Sequence, residues 1–445
     1  MTRVSVCALA AACFASVTVA AAEEPERRAV PGWLEPLRLR GRVAEELAYG
    51  LHDPGDVSKL RTTGWLDAKY TFSEHASLRV GTRAWYDAVF DATDRYPANV
   101  ERDQKTELDL REAVLAAAAG DLDVRVGRQQ IVWGEAIGTF ITDVVNPKDF
   151  REFILNDYTE LRIPIWALDV SWRLAPNVTL EGVWTPDTRF NKIGKRGAEF
   201  QFAGPAYRFR NQVVRLPDDA AEFSVARSEG GVRLSALHAG WDGALIYYDE
   251  ADKLSVLAQR RVPQPPGPDI ILLQPTHPRV HVAGATLAKG FDALVVRSEI
   301  AVTVDKRYET VDVRDRDGTV RRDTIDCLIG IDGTLFDVDA ALQVSQKILT
   351  GSVHDVARGG VEGVATTSLA LRLTTGFFEN TVTAGMLFVV NANRADFRVS
   401  PRIDWNVTGA LTVSVGVDIF EGARRTLYGQ FDGNDRAWMT TTWRF

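Results

Sequence analysis

The sequence predicts an all-β fold. It reads as a single closed, transmembrane antiparallel β-barrel of about 16–18 strands, 18 by the best count, with short periplasmic turns and long extracellular loops. Three observations predict it. Apolar and polar residues alternate with period two over segments of about 10–15 residues, long enough for a tilted strand to cross the hydrocarbon layer. The links between these segments alternate long and short. The chain ends in an alternating, aromatic-rich segment whose last residue is Phe445.

The elements follow in chain order. Arg3, the uncharged run from Val4 to Ala20 and the small residues Ala20-Ala21-Ala22 form a secretory signal peptide over 1–22. A periplasmic N-terminal segment is expected over 23–36 and the barrel over 37–445. The signal peptide carries Cys7 and Cys13 with it, which leaves Cys327 alone, so the exported chain has no internal disulfide. After Ala22 no apolar run of about 18 residues occurs, so helical spans are not expected.

In an early segment Leu60, Leu66, Ala68, Tyr70 and Phe72 share one face, opposite Arg61, Thr63, Trp65, Asp67 and Lys69. In the next, Leu78, Val80, Ala84 and Tyr86 lie opposite Arg79, Gly81, Arg83, Trp85 and Asp87. Near the end Leu411, Val413, Val415, Val417 and Ile419 alternate with Thr412, Ser414, Gly416 and Asp418. Side chains on a strand point alternately to its two faces, so each segment has one apolar and one polar side. Soluble sandwiches alternate too, but their strands average about 5–6 residues.

Short links carry turn residues: Ser73-Glu74-His75, Gly120-Asp121, Pro176-Asn177, Gly240, Lys289-Gly290, Asp332-Gly333, Glu379-Asn380 and Thr408-Gly409. Long links fall around 51–58, 91–104, 134–164, 187–221, 251–278, 305–323, 350–363, 392–395 and 422–433. This plan puts both termini on the short-turn side, as in bacterial outer-membrane barrels. The alternating terminal segment Arg436 to Phe445 resembles the signal that the barrel-assembly machinery reads, with Phe445 as its anchor.

The apolar faces are then assigned to outer-membrane lipid. Interfacial aromatics include Tyr70, Phe72, Tyr86, Phe90, Trp166, Trp172, Trp184, Phe388, Trp405, Trp443 and Phe445. The polar faces line the lumen. The expected pore-lining residues are Arg61, Arg79, Arg83, Asp109, Arg111, Asp123, Arg125, Arg297, Glu299, Arg398, Arg402 and Asp404. A barrel of about 16–18 strands leaves an aqueous channel, and charges of both signs inside it bias polar or ionic solutes. Each of these residues has two readings, bracing the wall or touching solute.

Other chemistries are excluded. A formal charge of −8 offers no footprint for nucleic acid. His277 and His281 lie four apart, but on a strand that spacing is about 13 Å, too far for one metal ion. Asp312 to Gly318 lacks the ligand spacing of a calcium loop, and Asp317-Gly318 reads as a hairpin tip. No histidine lies in a hydrolase motif and no G-x-S-x-G occurs, so neither catalysis nor a cofactor is expected. Gln264-Pro265-Pro266-Gly267-Pro268 reads as an exposed surface segment.

One stretch stands apart. Gly127-Arg128-Gln129-Gln130-Ile131-Val132-Trp133-Gly134-Glu135 closes the fifth strand. Asn146-Pro147-Lys148-Asp149, Arg151-Glu152-Phe153 and Arg162-Ile163-Pro164 follow it. The pattern G-R-Q-x-x-x-W-G with a nearby N-P-x-D resembles a family of uncharacterised Gram-negative outer-membrane β-barrel proteins, distantly similar to alginate-export-type porins. The resemblance implies a single barrel in the outer membrane. It also implies genes placed beside resistance-nodulation-division exporters and periplasmic carriers of lipid-like molecules, hence an inner-membrane exporter and a periplasmic carrier as partners.

The loop 134–164 holds Phe140, Ile141, Val144, Val145, Phe150, Phe153, Ile154 and Leu155, too apolar for a solvated loop. It is expected to fold into the lumen as a constriction. Asn146-Pro147 is expected to form a turn, and 148–153 a short helical turn. Arg128, Gln129, Trp133, Gly134, Glu135, Asn146, Pro147, Asp149 and Arg151 are its candidate functional residues. The leading expectation is a passive porin-like channel for a polar, ionic or amphiphilic solute. The alternatives are an outer-membrane partner of a lipid or hydrophobic-compound exporter, and a surface binding protein or adhesin with a plugged pore.

Overall fold

In the computed structural model eighteen strands pair edge to edge in one antiparallel ring. The structure describes residues 35–52, 55–134, 136–137, 139–203, 212–218, 222–310, 317–351, 356 and 365–445. The strands are β1 (Leu37–Gly50), β2 (Val57–Ser73), β3 (Ala76–Asp87), β4 (Thr106–Ala119), β5 (Leu122–Gln129), β6 (Ile165–Ala175), β7 (Val178–Thr185), β8 (Glu229–His238) and β9 (Trp241–Ala251). They continue as β10 (Arg279–Phe291), β11 (Leu294–Val304), β12 (Thr324–Leu335), β13 (Val338–Leu349), β14 (Ala365–Phe377), β15 (Val382–Asn391), β16 (Asp396–Asn406), β17 (Leu411–Glu421) and β18 (Arg436–Arg444). Every strand pairs with its sequence neighbours, and β1 closes the ring on β18 with Val43 opposite Trp443. Gly41 and Phe445 exchange backbone hydrogen bonds at 2.9 and 3.0 Å, which ties the last residue into the seam. Closure leaves no unpaired edge, the condition that lipid imposes on a sheet.

The two faces differ as the alternation requires. Leu39, Leu66, Leu108, Leu245 and Ile329 are exposed on the outside, whereas Arg83, Arg111, Asp169, Glu299 and Arg398 are buried inside. Apolar side chains turned out and charges turned in suit a barrel whose exterior solvent is hydrocarbon. Eight short links join alternate strand pairs at one end, and the nine long ones lie at the other. No helix among the described residues is long and apolar enough to cross a membrane.

Three local expectations are corrected. Lys289-Gly290 and Asp332-Gly333 lie inside the ladders, Gly290 opposite Val295 and Gly333 opposite Leu294. The chain reverses instead at Asp292 (φ 37°) and at Phe336-Asp337 (φ 51° and 62°). Gly333 is there for close approach, since a Cβ would fall 2.5 Å from the Leu294 side chain and 2.6 Å from the Ala293 carbonyl. Phe90 lies beyond its strand. The Asp87 carboxylate accepts from the amides of Leu60 (3.0 Å) and Val89 (3.2 Å), which turns the chain into α1 (Val89–Ala92) and sets Phe90 on Tyr96 at 5.1 Å. The segment 148–153 does not form a helical turn. Asp149–Phe150 pairs in parallel with Lys192–Ile193 from the next long loop, and the chain turns just after it, with the Phe153 amide donating to the Phe150 carbonyl at 2.9 Å and Phe153 in the left-handed region at φ 53°. The short helix comes later, as α3 (Tyr158–Leu161), after α2 (Ala98–Gln104) in the second long loop.

Candidate functional site

The third long loop, between β5 and β6, lies against the inner face on nearly every side. Its root is set by Gly127, whose φ of +133° is closed to other residues and whose missing Cβ would lie 2.0 Å from the Ala113 carbonyl. Beyond this kink the successive residues Arg128 and Gln129 are both buried. Arg128 donates to Asp109 at 3.1 Å, and Gln129 donates to the Ala167 carbonyl at 3.1 Å. Trp133 is buried edge-on against Tyr248, and its Nε1 donates to Glu181 at 2.9 Å. At Gly134 a Cβ would meet Thr142 Oγ1 at 2.5 Å and the Asp143 amide at 2.7 Å, so the glycine lets two strands of the loop touch. Glu135 lies outside the described residues.

Asn146 fastens the two limbs. Its side chain accepts from the Ile131 amide (2.7 Å) and donates to the carbonyls of Gln129 (3.3 Å) and Ile163 (2.9 Å). The Pro147 carbonyl accepts from the Ile163 amide at 2.8 Å. Asn146 is therefore a clasp, and its three bonds take up backbone groups that burial would otherwise leave unpaired.

From this clasp the loop reaches across the lumen. Thr142 donates from its hydroxyl (2.6 Å) and amide (3.2 Å) to Glu299 on β11. The Ile137 amide donates to Gln343 on β13 at 2.8 Å, and Arg398 on β16 donates to the Ile154 carbonyl at 2.7 Å. On the near side Glu152 meets Lys59 and Arg61 of β2, each at 2.6 Å. Glu160 meets Arg42 of β1 at 2.6 Å and Arg83 of β3 at 2.7 Å. Arg111 of β4 donates to the carbonyls of Thr159 (2.6 Å) and Arg162 (2.8 Å). Arg151 is held by Asp149, Glu107 and the Asp103 carbonyl, with its guanidinium 5.4 Å over the Trp85 ring.

Electrostatics within the loop follow from this packing. Burial pushes the Glu152 carboxyl up, but Arg61 and Lys59 outweigh it and hold the group well below the usual carboxylate range. Glu160 behaves alike, with burial opposed by Arg83, Arg111 and Arg42. Burial lowers the Lys148 ammonium, and Asp143 beside it only partly offsets the shift.

The predicted pore-lining residues thus divide. Arg61, Arg83, Arg111, Glu299 and Arg398 hold the loop, and Asp109 pairs with Arg83, Arg111 and Arg128. Arg297 pairs with Asp332, and Arg402 with Asp404 at 3.2 Å. Arg79 bonds Asp67 and Glu112, while Asp123 and Arg125 are exposed on β5, with Arg125 3.7 Å from Asp169.

A family model described as "Protein of unknown function (DUF1302)" matches residues 52–445. The chain belongs to this family. A search of curated proteins finds no match. Among solved structures, Pseudomonas aeruginosa OccK2 (OpdF) in complex with glucuronate is similar at 9% identity and a TM-score of 0.53, over 93% of this chain and 99% of that one. Acinetobacter baumannii OccAB2 matches at 10% identity and 0.53, over 94% and 99%. Pseudomonas aeruginosa OccK8 (OprE) matches at 9% and 0.52, over 93% and 99%. These likenesses show a shared barrel fold.

Sequence reasoning missed several residues of this DUF1302 barrel's inner network. Arg42, Lys59, Asp143, Glu160, Arg162 and Gln343 all bind within or onto the loop. One signal was readable: Arg38, Arg40 and Arg42 alternate along β1 and so share a face.

Proposed function

We propose that this protein is a porin-like channel in the outer membrane of a Gram-negative bacterium. It passes a polar, ionic or amphiphilic solute passively through a charged lumen that the 134–164 loop constricts. The observation that carries this reading is the loop itself, clasped at Asn146 and bonded to Glu299, Gln343, Arg398 and Glu152's partners around the inner wall. A wet, charged bore with such a loop selects by width and field, and no covalent step is needed. The glucuronate bound to OccK2 makes a charged sugar-like solute a suitable first probe. Phe445, tied to Gly41 at the seam, is the residue through which the assembly machinery would recognise the chain.

Single-channel recording of the purified protein in planar bilayers tests the reading, with liposome swelling by sized sugars to set the width. Discrete conductance steps and a sharp size limit are expected. Silent bilayers after verified insertion refute the channel.

A further inference from the structure

The loop does not meet the wall in the same way all round. From β6 to β17 it packs through apolar clusters. One joins Val145 to Ile165, Val183 and Ile246, a second joins Ile141 to Val282, Ala301 and Leu328, and a third joins Phe153 to Ala370, Val389 and Phe420. Along β1–β4 its contacts are polar and ionic, and cavities of 410 and 510 Å³ open there, against one of 130 Å³ beside Glu299 and Arg372.

Three cavities follow one another along that quarter. The first, of 410 Å³, is lined by Arg38 and Arg40 of β1 and by Lys69 of β2, together with Asp67, Arg79 and Glu112. Arg79 takes both carboxylates, Asp67 at 2.7 Å and Glu112 at 2.8 Å. Among the described residues the side chains of Arg38, Arg40 and Lys69 have no hydrogen bond or ion pair. The second cavity, of 510 Å³, shares Arg40 and Arg79 with the first and reaches Arg42, Trp65 and Glu160. Beyond Trp65 and Glu160 lies the third, of 110 Å³. Cations without counter-ions therefore stand at the short-turn mouth. At the neck two further cations are paired to a carboxylate that the loop supplies, with the Arg42 guanidinium 3.8 Å over the Trp65 ring.

We infer that the solute path runs along β1–β4, that it takes small organic anions, and that Glu160 is an internal substitute for the solute's anionic group, displaced from Arg42 and Arg83 as solute passes. The inference deepens the channel reading and rests on it. Unpaired cations in a confined mouth raise the local anion concentration. At the neck one anion replaces another on the same two guanidinium groups, so no buried cation is left bare during the exchange.

Two measurements on the purified full-length chain test it. In bilayers at low salt, the reversal potential across a KCl gradient is expected to show anion preference. R38Q/R40Q/K69Q should lose that preference, and E160Q should conduct more than wild type. Cation preference, or an unchanged reversal potential in the triple variant, overturns the inference. In detergent, tryptophan fluorescence titrated with potassium citrate is expected to saturate, to lose its response in W65F and to shift to about tenfold weaker affinity in the triple variant. R227Q, paired with Glu222 in a long loop, should bind as wild type does. Saturable, Trp65-dependent citrate binding with silent bilayers would keep the site and remove the channel. Open but unselective channels without a citrate response would keep the channel and overturn the site.

Discussion

Asn146 shows how much of the loop rests on single polar groups. In Asn146→Ala the Ile131 amide loses its acceptor, and the Gln129 and Ile163 carbonyls lose a donor, all in a buried setting. A buried group left unpaired costs about 1–3 kcal/mol, so docking of the loop should weaken by about 2–4 kcal/mol. Hydrogen exchange at the Ile131 amide measures this, and protection equal to wild type would contradict the clasp. The Gly-Arg-Gln stretch was legible as unusual because its motif resembles a family pattern and because the loop after it is too apolar for solvent. Its role was not, because the kink at Gly127 is a backbone property, and the partners of Arg128 and Trp133 are 19 and 48 residues away. Lumen charges were legible by parity alone. Which carboxylate each would meet was not, since Arg42 and Glu160 are 118 residues apart.

At the scale of elements, alternation located the eighteen strands but placed two hairpin tips a few residues early. Glycine favours turns, and Gly290 and Gly333 drew the reversals toward themselves, while Asp292 and Phe336 carry the left-handed backbone instead. The loop's helical turn was misplaced for a related reason. Local pattern cannot see that Asp149–Phe150 finds a strand partner in 192–193. The loop's charge anchors give this element a definite pH response. Lys59 and Arg61 hold the folded-state carboxyl of Glu152 well below the usual value of 4.5. Its contribution is therefore complete above the unfolded-state value and disappears only as pH falls through the folded-state one. Docking of the loop should be unchanged from pH 7 down to the ordinary carboxylate range and should fail only below it. Limited proteolysis of the loop against pH tests this, and release near pH 6 would contradict the anchor.

At the scale of the molecule the wall and the loop are separable structures. The wall is closed by backbone pairing among its own strands, and none of those ladders uses residues 134–162. β5 and β6 are already neighbours, with Gln129 opposite Ile165, so a short turn can join them as it joins any hairpin. The loop instead crosses the bore, and its removal would expose Glu299, Arg398 and Lys59 to water. In a lumen of about 18 strands that water is available, so these charges are hydrated rather than stranded. Replacing 134–162 with a short glycine-containing link should therefore leave a folded barrel, with the same β-rich circular dichroism and the same resistance to SDS before heating. The conductance should rise severalfold and the sugar size limit should widen, because the obstruction is gone while the wall persists. A variant that fails to fold would make the loop the core on which the wall depends. A variant that folds but conducts as wild type does would place the narrowest point of the passage elsewhere than this loop.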